Sequence, residues 1–142
     1  MTPNEIRALI RREYEETWLG GKHEVIHETS HDHRKSHRPA LDGGRDVAGL
    51  KAARAAVREA FADHQVKIEH LIVEGDMAAA RIIITGKHTG EVMGVKPTGK
   101  EITVTANGIF RIENGKIVED WTEWDNLSIM QQLGLTAMPQ PG

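Results

Sequence analysis

The hydrophobic pattern of this chain changes period once, near Asp63, and that change restricts the fold more than any other feature. Before it, apolar side chains recur at the spacing of helix faces; after it, they alternate. Helices first and hairpin-linked strands afterwards predict an α+β domain, with N-terminal helices packed on one face of a curved antiparallel sheet.

The local signals are specific. Thr2 can cap a helix, Pro3 suits its first position and Glu5 completes a capping box. Ile6, Leu9, Ile10, Tyr14, Thr17 and Trp18 then share one face, and Gly20-Gly21 ends the helix. A short second helix is expected at about 22–28, with Val25 and Ile26 inward. The polar stretch His31–His37 has no clear periodicity, and Leu41-Asp42-Gly43-Gly44 marks a loop. Asp46 caps a third helix that buries Val47, Leu50, Ala53, Val57 and Phe61. Strands follow at 66–74, 77–88, 101–112 and 116–124, with Asn114-Gly115 as a two-residue hairpin turn. Residues 89–100 form a glycine-punctuated loop. Asp125 caps a last helix at 126–133, Gly134 ends it, and the tail 136–142 frays, so the domain is expected to span 1–135.

Strand alternation separates the two sheet faces. Ile102, Val104, Ala106, Gly108, Phe110 and Ile112 form an apolar set, so the even positions point inward. On the last strand Glu119 and Glu123 occupy the other face, which turns Val118, Asp120, Thr122 and Trp124 inward. An acid on an apolar face is costly when ionised and unpaired. Asp120 is therefore the leading candidate for acid–base work; pairing with an arginine or a histidine across the pocket is the structural alternative. The small residues Ala106 and Gly108 are expected to leave space, making a pocket with Trp18, Trp124 and Phe110 at its rim. Trp121 falls on the outer face, where a large aromatic suggests a dimer surface.

Composition narrows the partners. The chain has 142 residues, no cysteine and a net charge of −3 with both signs interspersed. That excludes disulfide and thiolate chemistry and argues against nucleic acid as a partner. No apolar run reaches membrane-spanning length and the N-terminus lacks a signal-peptide pattern, so a soluble, cytoplasmic protein is expected. His23, His27 and His31 recur every four residues, and His31, His33 and His37 cluster with Asp32. Without cysteine or a known ligand spacing this is read as a solvated segment, and no metal site is assigned.

Several stretches resemble the SnoaL-like polyketide cyclase family of the nuclear-transport-factor-2-like superfamily. They include Tyr14-Glu15-Glu16-Thr17-Trp18, Asp32-His33, Phe61-Ala62-Asp63, Glu74-Gly75-Asp76, the run Gly86–Gly94, Pro97-Thr98-Gly99-Lys100, the run Ile109–Glu119, Trp124-Asp125 and Gln131-Gln132-Leu133-Gly134. The resemblance implies a cone-shaped half-barrel, a homodimer packed through the sheet, and ring closure of polyketides without metal or organic cofactor. It places the cyclases' acid–base aspartate and histidine at Thr122 and Gly108, neither of which can carry the proton. The expected function is binding of a small apolar carbonyl-type or polyketide-like molecule, with cofactor-free acid–base catalysis by Asp120 aided by His33 or His88. The expected ligand-binding residues are Tyr14, Trp18, Met93, Phe110, Thr122 and Trp124. A non-catalytic ligand carrier or dimeric scaffold is the alternative.

Overall fold

The computed structural model describes residues 1–37 and 45–135; the loop expected at 41–44 and the tail at 136–142 lie outside the described residues. Helix α1 (Pro3–Arg12) starts with the expected capping box, Thr2 and Glu5 satisfying each other's backbone N–H groups. Its buried face is Ile6, Leu9 and Ile10, and each such side chain contributes roughly 1.5–3 kcal/mol when removed from water. The helix does not run unchanged to Trp18. It widens into a π-helical stretch over Glu13–Leu19, where Thr17 Oγ1 donates to the Glu13 carbonyl oxygen. Glu13, Tyr14, Thr17 and Trp18 are all buried there. A 3₁₀ turn (His23–Val25) and the short helix α2 (Ile26–Thr29) follow.

The polar stretch that showed no periodicity is a strand, β1 (Ser30–His37). It was invisible to hydrophobic patterning because its buried side chains are Ser30, Arg34 and Ser36, held by hydrogen bonds rather than by apolar contact. Helix α3 (Val47–Ala60), capped by Asp46, leads directly into β2 (Phe61–Glu74). The strand thus begins five residues earlier than alternation suggested, and Phe61 belongs to it rather than to the helix. Asp63, at φ 52°, sits where the pairing register of β2 shifts, and that irregularity breaks the alternation. The remaining elements are β3 (Met77–His88), β4 (Glu101–Glu113), β5 (Lys116–Trp124) and α4 (Asn126–Gln132). Asn114 and Gly115 both have positive φ, as the β4–β5 hairpin turn requires.

The strand order is β1-β5-β4-β3-β2. All neighbours are antiparallel except β1, which runs parallel to β5, so the sheet is mixed rather than purely antiparallel. It is not closed, and with the helices on its inner face it forms an α+β half-barrel. The core lies between α1, the π-helical stretch and the inner faces of β3 and β4, where Ile10, Ile82, Ala106 and Phe110 are buried. Among the described residues no helix is long and apolar enough to cross a membrane.

Candidate functional site

The inner end of β5 carries Asp120, 1% exposed as its strand alternation requires. Its charge is compensated. Arg34 of β1 donates to Asp120 Oδ2 from Nε at 2.9 Å and from Nη2 at 2.7 Å. Ser36 Oγ and Thr122 Oγ1 donate to Oδ1 at 2.7 and 3.1 Å. The parallel pairing of Ser36 with Asp120 brings these β1 side chains to it.

Arg34 also binds Glu13 Oε2 and donates to Ser30 Oγ at 2.8 Å. Glu13 Oε1 in turn accepts from Arg54 Nη1 at 2.8 Å, and the same nitrogen reaches Thr17 Oγ1 at 3.0 Å. Glu13, Arg34, Arg54 and Asp120 thus make one buried network of two acids and two guanidiniums. Burial alone would push the Glu13 carboxyl up, but Arg34 and Arg54 outweigh it and hold the group below its ordinary range. Burial likewise opposes the charge on Arg34, and Glu13 and Asp120 overcome it, raising its pKa. The Tyr14 hydroxyl is pushed well above its ordinary value by burial and by the carboxylates of Glu13 and Asp120.

One small space meets this network, and a larger one shares part of its wall. A cleft of about 30 Å³ is lined by Glu13, Tyr14, Arg34, Arg45, Arg54, Phe110, Asp120 and Thr122, among others. A chamber of about 250 Å³ is lined mainly by apolar side chains from α3, β2, β3, β4, α4 and the loop after β3. Trp18, Arg45, Ala53 and Trp124 line both. The two indole rings pack at 5.6 Å, and the Arg54 guanidinium lies over Trp18 at 5.1 Å from the ring centroid.

The sequence-derived residues are distributed as follows. Tyr14, Phe110, Asp120 and Thr122 line the cleft, Met93 lines the chamber, and Trp18 and Trp124 line both. His33 is exposed on β1, with its ring 5.2 Å from that of His31. His88 is fully buried but is not a lining residue; its ring packs 5.8 Å from that of Phe61, which does line the chamber. The Thr98 backbone N–H donates to His88 Nδ1 at 3.2 Å, and Thr98 Oγ1 lies 2.9 Å from the same nitrogen. Gly108 does not leave space: a Cβ there would lie 3.1 Å from the Phe110 ring and 3.3 Å from Thr122 Oγ1. Phe110 and Thr122 fill that volume. The histidines that recur every four residues fall on different elements, His23 in the 3₁₀ turn, His27 on α2 and His31 on β1, whereas His31, His33 and His37 share β1. Among the described residues no three histidine, aspartate or glutamate side chains converge on a metal-binding point.

Sequence reasoning missed Glu13, Arg34, Ser36, Arg45 and Arg54. Arg54 left a signal, because it occupies the inward stripe of α3 four residues after Leu50 and three before Val57.

Comparison with known proteins agrees with this architecture. The SnoaL-like polyketide cyclase family matches residues 8–133. The aklanonic acid methyl ester cyclase DauD of Streptomyces sp. (strain C5) is 29% identical over 113 residues, covering 78% of this chain and 67% of that protein. DnrD of Streptomyces peucetius, also an aklanonic acid methyl ester cyclase, is 31% identical over 101 residues, covering 67% of this chain and 68% of its own. Among solved structures, TsrD from Streptomyces laurentii superposes with a TM-score of 0.85 at 26% identity, covering 96% of this chain and 99% of its own. IdmH from Streptomyces antibioticus does so at 0.81 and 30% identity, covering 91% and 98%.

Proposed function

Because the chain belongs to the SnoaL-like polyketide cyclase family, we propose that it is a cofactor-free acid–base enzyme acting on a compact, mostly apolar carbonyl compound. The observation that carries this reading is that the apolar chamber and the Asp120 cleft adjoin, with Trp18, Arg45, Ala53 and Trp124 lining both. The apolar body of the ligand fills the chamber and its oxygen-bearing end faces the cleft. The chamber volume of about 250 Å³ lies just below the roughly 300–1,000 Å³ typical of small-molecule sites, which favours a compact ligand.

In this reading Asp120 takes a proton from the carbon beside a carbonyl. The resulting enolate carbon attacks a second carbonyl, one carbon–carbon bond forms, and the alkoxide regains a proton, so that no atom is lost. The bond to Thr122, the longest of the four that Asp120 accepts, is the one to give way. The reading uses Asp120 without histidine, because His33 is exposed and His88 is bonded to Thr98 away from the cleft lining. Aklanonic acid methyl ester, the compound named for the two curated relatives, is the first substrate to test. Asp120→Asn is expected to lower kcat by about 100-fold or more; full activity in that variant would remove Asp120 from the chemistry.

One observation favours a second reading, a non-catalytic binding module. All four hydrogen bonds that the Asp120 carboxylate can readily accept are already made inside the protein. Ligand binding without turnover of any enolisable substrate would decide for it. We also propose that the outer sheet face, with Ile72, Ile109 and Trp121 exposed, is a homodimer surface.

A further inference from the structure

We infer that His64, which does not line the site, is a positioning residue for it: its ring holds the Trp18 main chain and so fixes the indole wall shared by chamber and cleft. The inference rests on the reading of the chamber as a ligand site and adds the residue on which the shape of that site depends.

The bulge in β2 supplies the first observation. In β3 the even positions face inward, with Ile82, Ile84 and His88 buried. Phe61 pairs with His88 and Val66 with Ile84, so an odd and an even residue of one strand point to the same face. The extra residue that switches the parity lies between Ala62 and Gln65, with Asp63 at φ 52°. His64 is thereby turned inward and is 7% exposed. Phe61 and His64 both stand over Gly86, where a Cβ would lie 2.9 Å from the Phe61 Cβ and 3.3 Å from the His64 Cβ. Of these two side chains Phe61 lines the chamber, and His64 lines neither space.

The second observation is what His64 reaches. His64 Nε2 lies 2.8 Å from the Trp18 carbonyl oxygen. A carbonyl only accepts, so Nε2 carries a proton and donates it. Trp18 stands one residue before the end of the π-helical stretch, where carbonyls lack a helical partner, and the imidazole supplies the donor. The third observation is where Trp18 sits. Its indole lines both chamber and cleft, packs 5.6 Å from the Trp124 ring and lies under the Arg54 guanidinium. A shift of the Trp18 main chain therefore moves the wall that the two spaces share.

The probe is tetralone, a compact neutral aromatic ketone, titrated while the tryptophan indole N–H resonances are followed by NMR. The wild-type chain is expected to bind it with a shift at Trp18. His64→Leu should displace the Trp18 resonance in the ligand-free protein and weaken binding about fivefold, the fold-change of one lost neutral hydrogen bond. His64→Gln, whose amide nitrogen can reach the same carbonyl, should stay within about twofold of wild type. Thr2→Ala, which lowers stability without touching Trp18, should leave affinity unchanged. Where His64→Leu does not fold, His64→Asn takes its place, because its amide is one methylene too short to reach Trp18. Wild-type affinity in His64→Leu or His64→Asn, with the Trp18 resonance unmoved, makes His64 a merely structural residue and overturns the inference. A His64→Gln variant as weak as His64→Leu overturns the hydrogen bond as the cause. No binding of tetralone by the wild type overturns the chamber reading, and the inference falls with it.

Discussion

Replacing Arg34 with methionine removes the one group that holds Glu13 and Asp120 together. Arg34 is 2% exposed and makes two bonds to Asp120 at 2.7 and 2.9 Å, one to Ser30 at 2.8 Å, and an ion pair with Glu13. Methionine fills similar volume but leaves Asp120 with only hydroxyl donors and Glu13 with Arg54 alone. Breaking a buried pair by deleting one partner costs about 3–5 kcal/mol, since an uncompensated charge remains inside. For a chain of this size that is a fall in Tm of roughly 10 °C. Urea denaturation followed by tryptophan fluorescence measures it. The pH dependence supplies a second check. The Glu13 pKa is lowered in the fold, so its contribution is complete above the ordinary value of 4.5 and is lost as pH falls through the folded value. The gap between wild type and Arg34→Met should therefore narrow as pH drops below 4.5. A loss under about 1 kcal/mol at neutral pH, or a gap that stays constant into acid, would refute the claim that this network holds β1 to the core.

Further predictions follow from single contacts. Thr2→Ala removes the α1 capping box and should cost about 1 kcal/mol in urea denaturation. Gly108→His puts the residue type of the cyclases at a position already filled by Phe110 and Thr122; it should lower Tm and confer no gain in turnover, and a stable, more active variant would contradict the packing described. Trp121→Glu adds a charge to the proposed dimer face, where Trp121 is 38% exposed and stacks on His37, and light scattering should then show a shift from dimer to monomer.

Hydrophobic patterning reveals elements that bury apolar side chains. The bounds of β3 and β5 follow from alternation, the hairpin from Asn114-Gly115, and the inward turn of Asp120 from the placement of Glu119 and Glu123 on the other face. The same reasoning is blind to β1. Its inward residues are Ser30, Arg34 and Ser36; Arg34 and Ser36 bond Asp120, 84 or more positions away, Arg34 also bonds Glu13 of the π-helical stretch, and Ser30 accepts from Arg34. Pairing of Asp120 with an arginine was legible as a need, since an ionised acid on that face requires a partner. Which arginine supplies it depends on the parallel pairing of β1 with β5, which no local pattern encodes. Gly108 misled for a related reason: a missing side chain in the sequence reads as space, whereas the fold fills that space with the neighbouring Phe110 ring.

The central claim is that chamber and cleft form one ligand site behind the Trp18–Trp124 pair. The three tryptophans make it directly measurable, since Trp18 and Trp124 line that site and Trp121 lies on the opposite sheet face. Titration with a compact neutral aromatic ketone such as tetralone, followed through the indole N–H resonances in proton–nitrogen correlation NMR, should shift Trp18 and Trp124 together and leave Trp121 unmoved. Shifts confined to Trp121, or none at saturating ketone, would contradict the account.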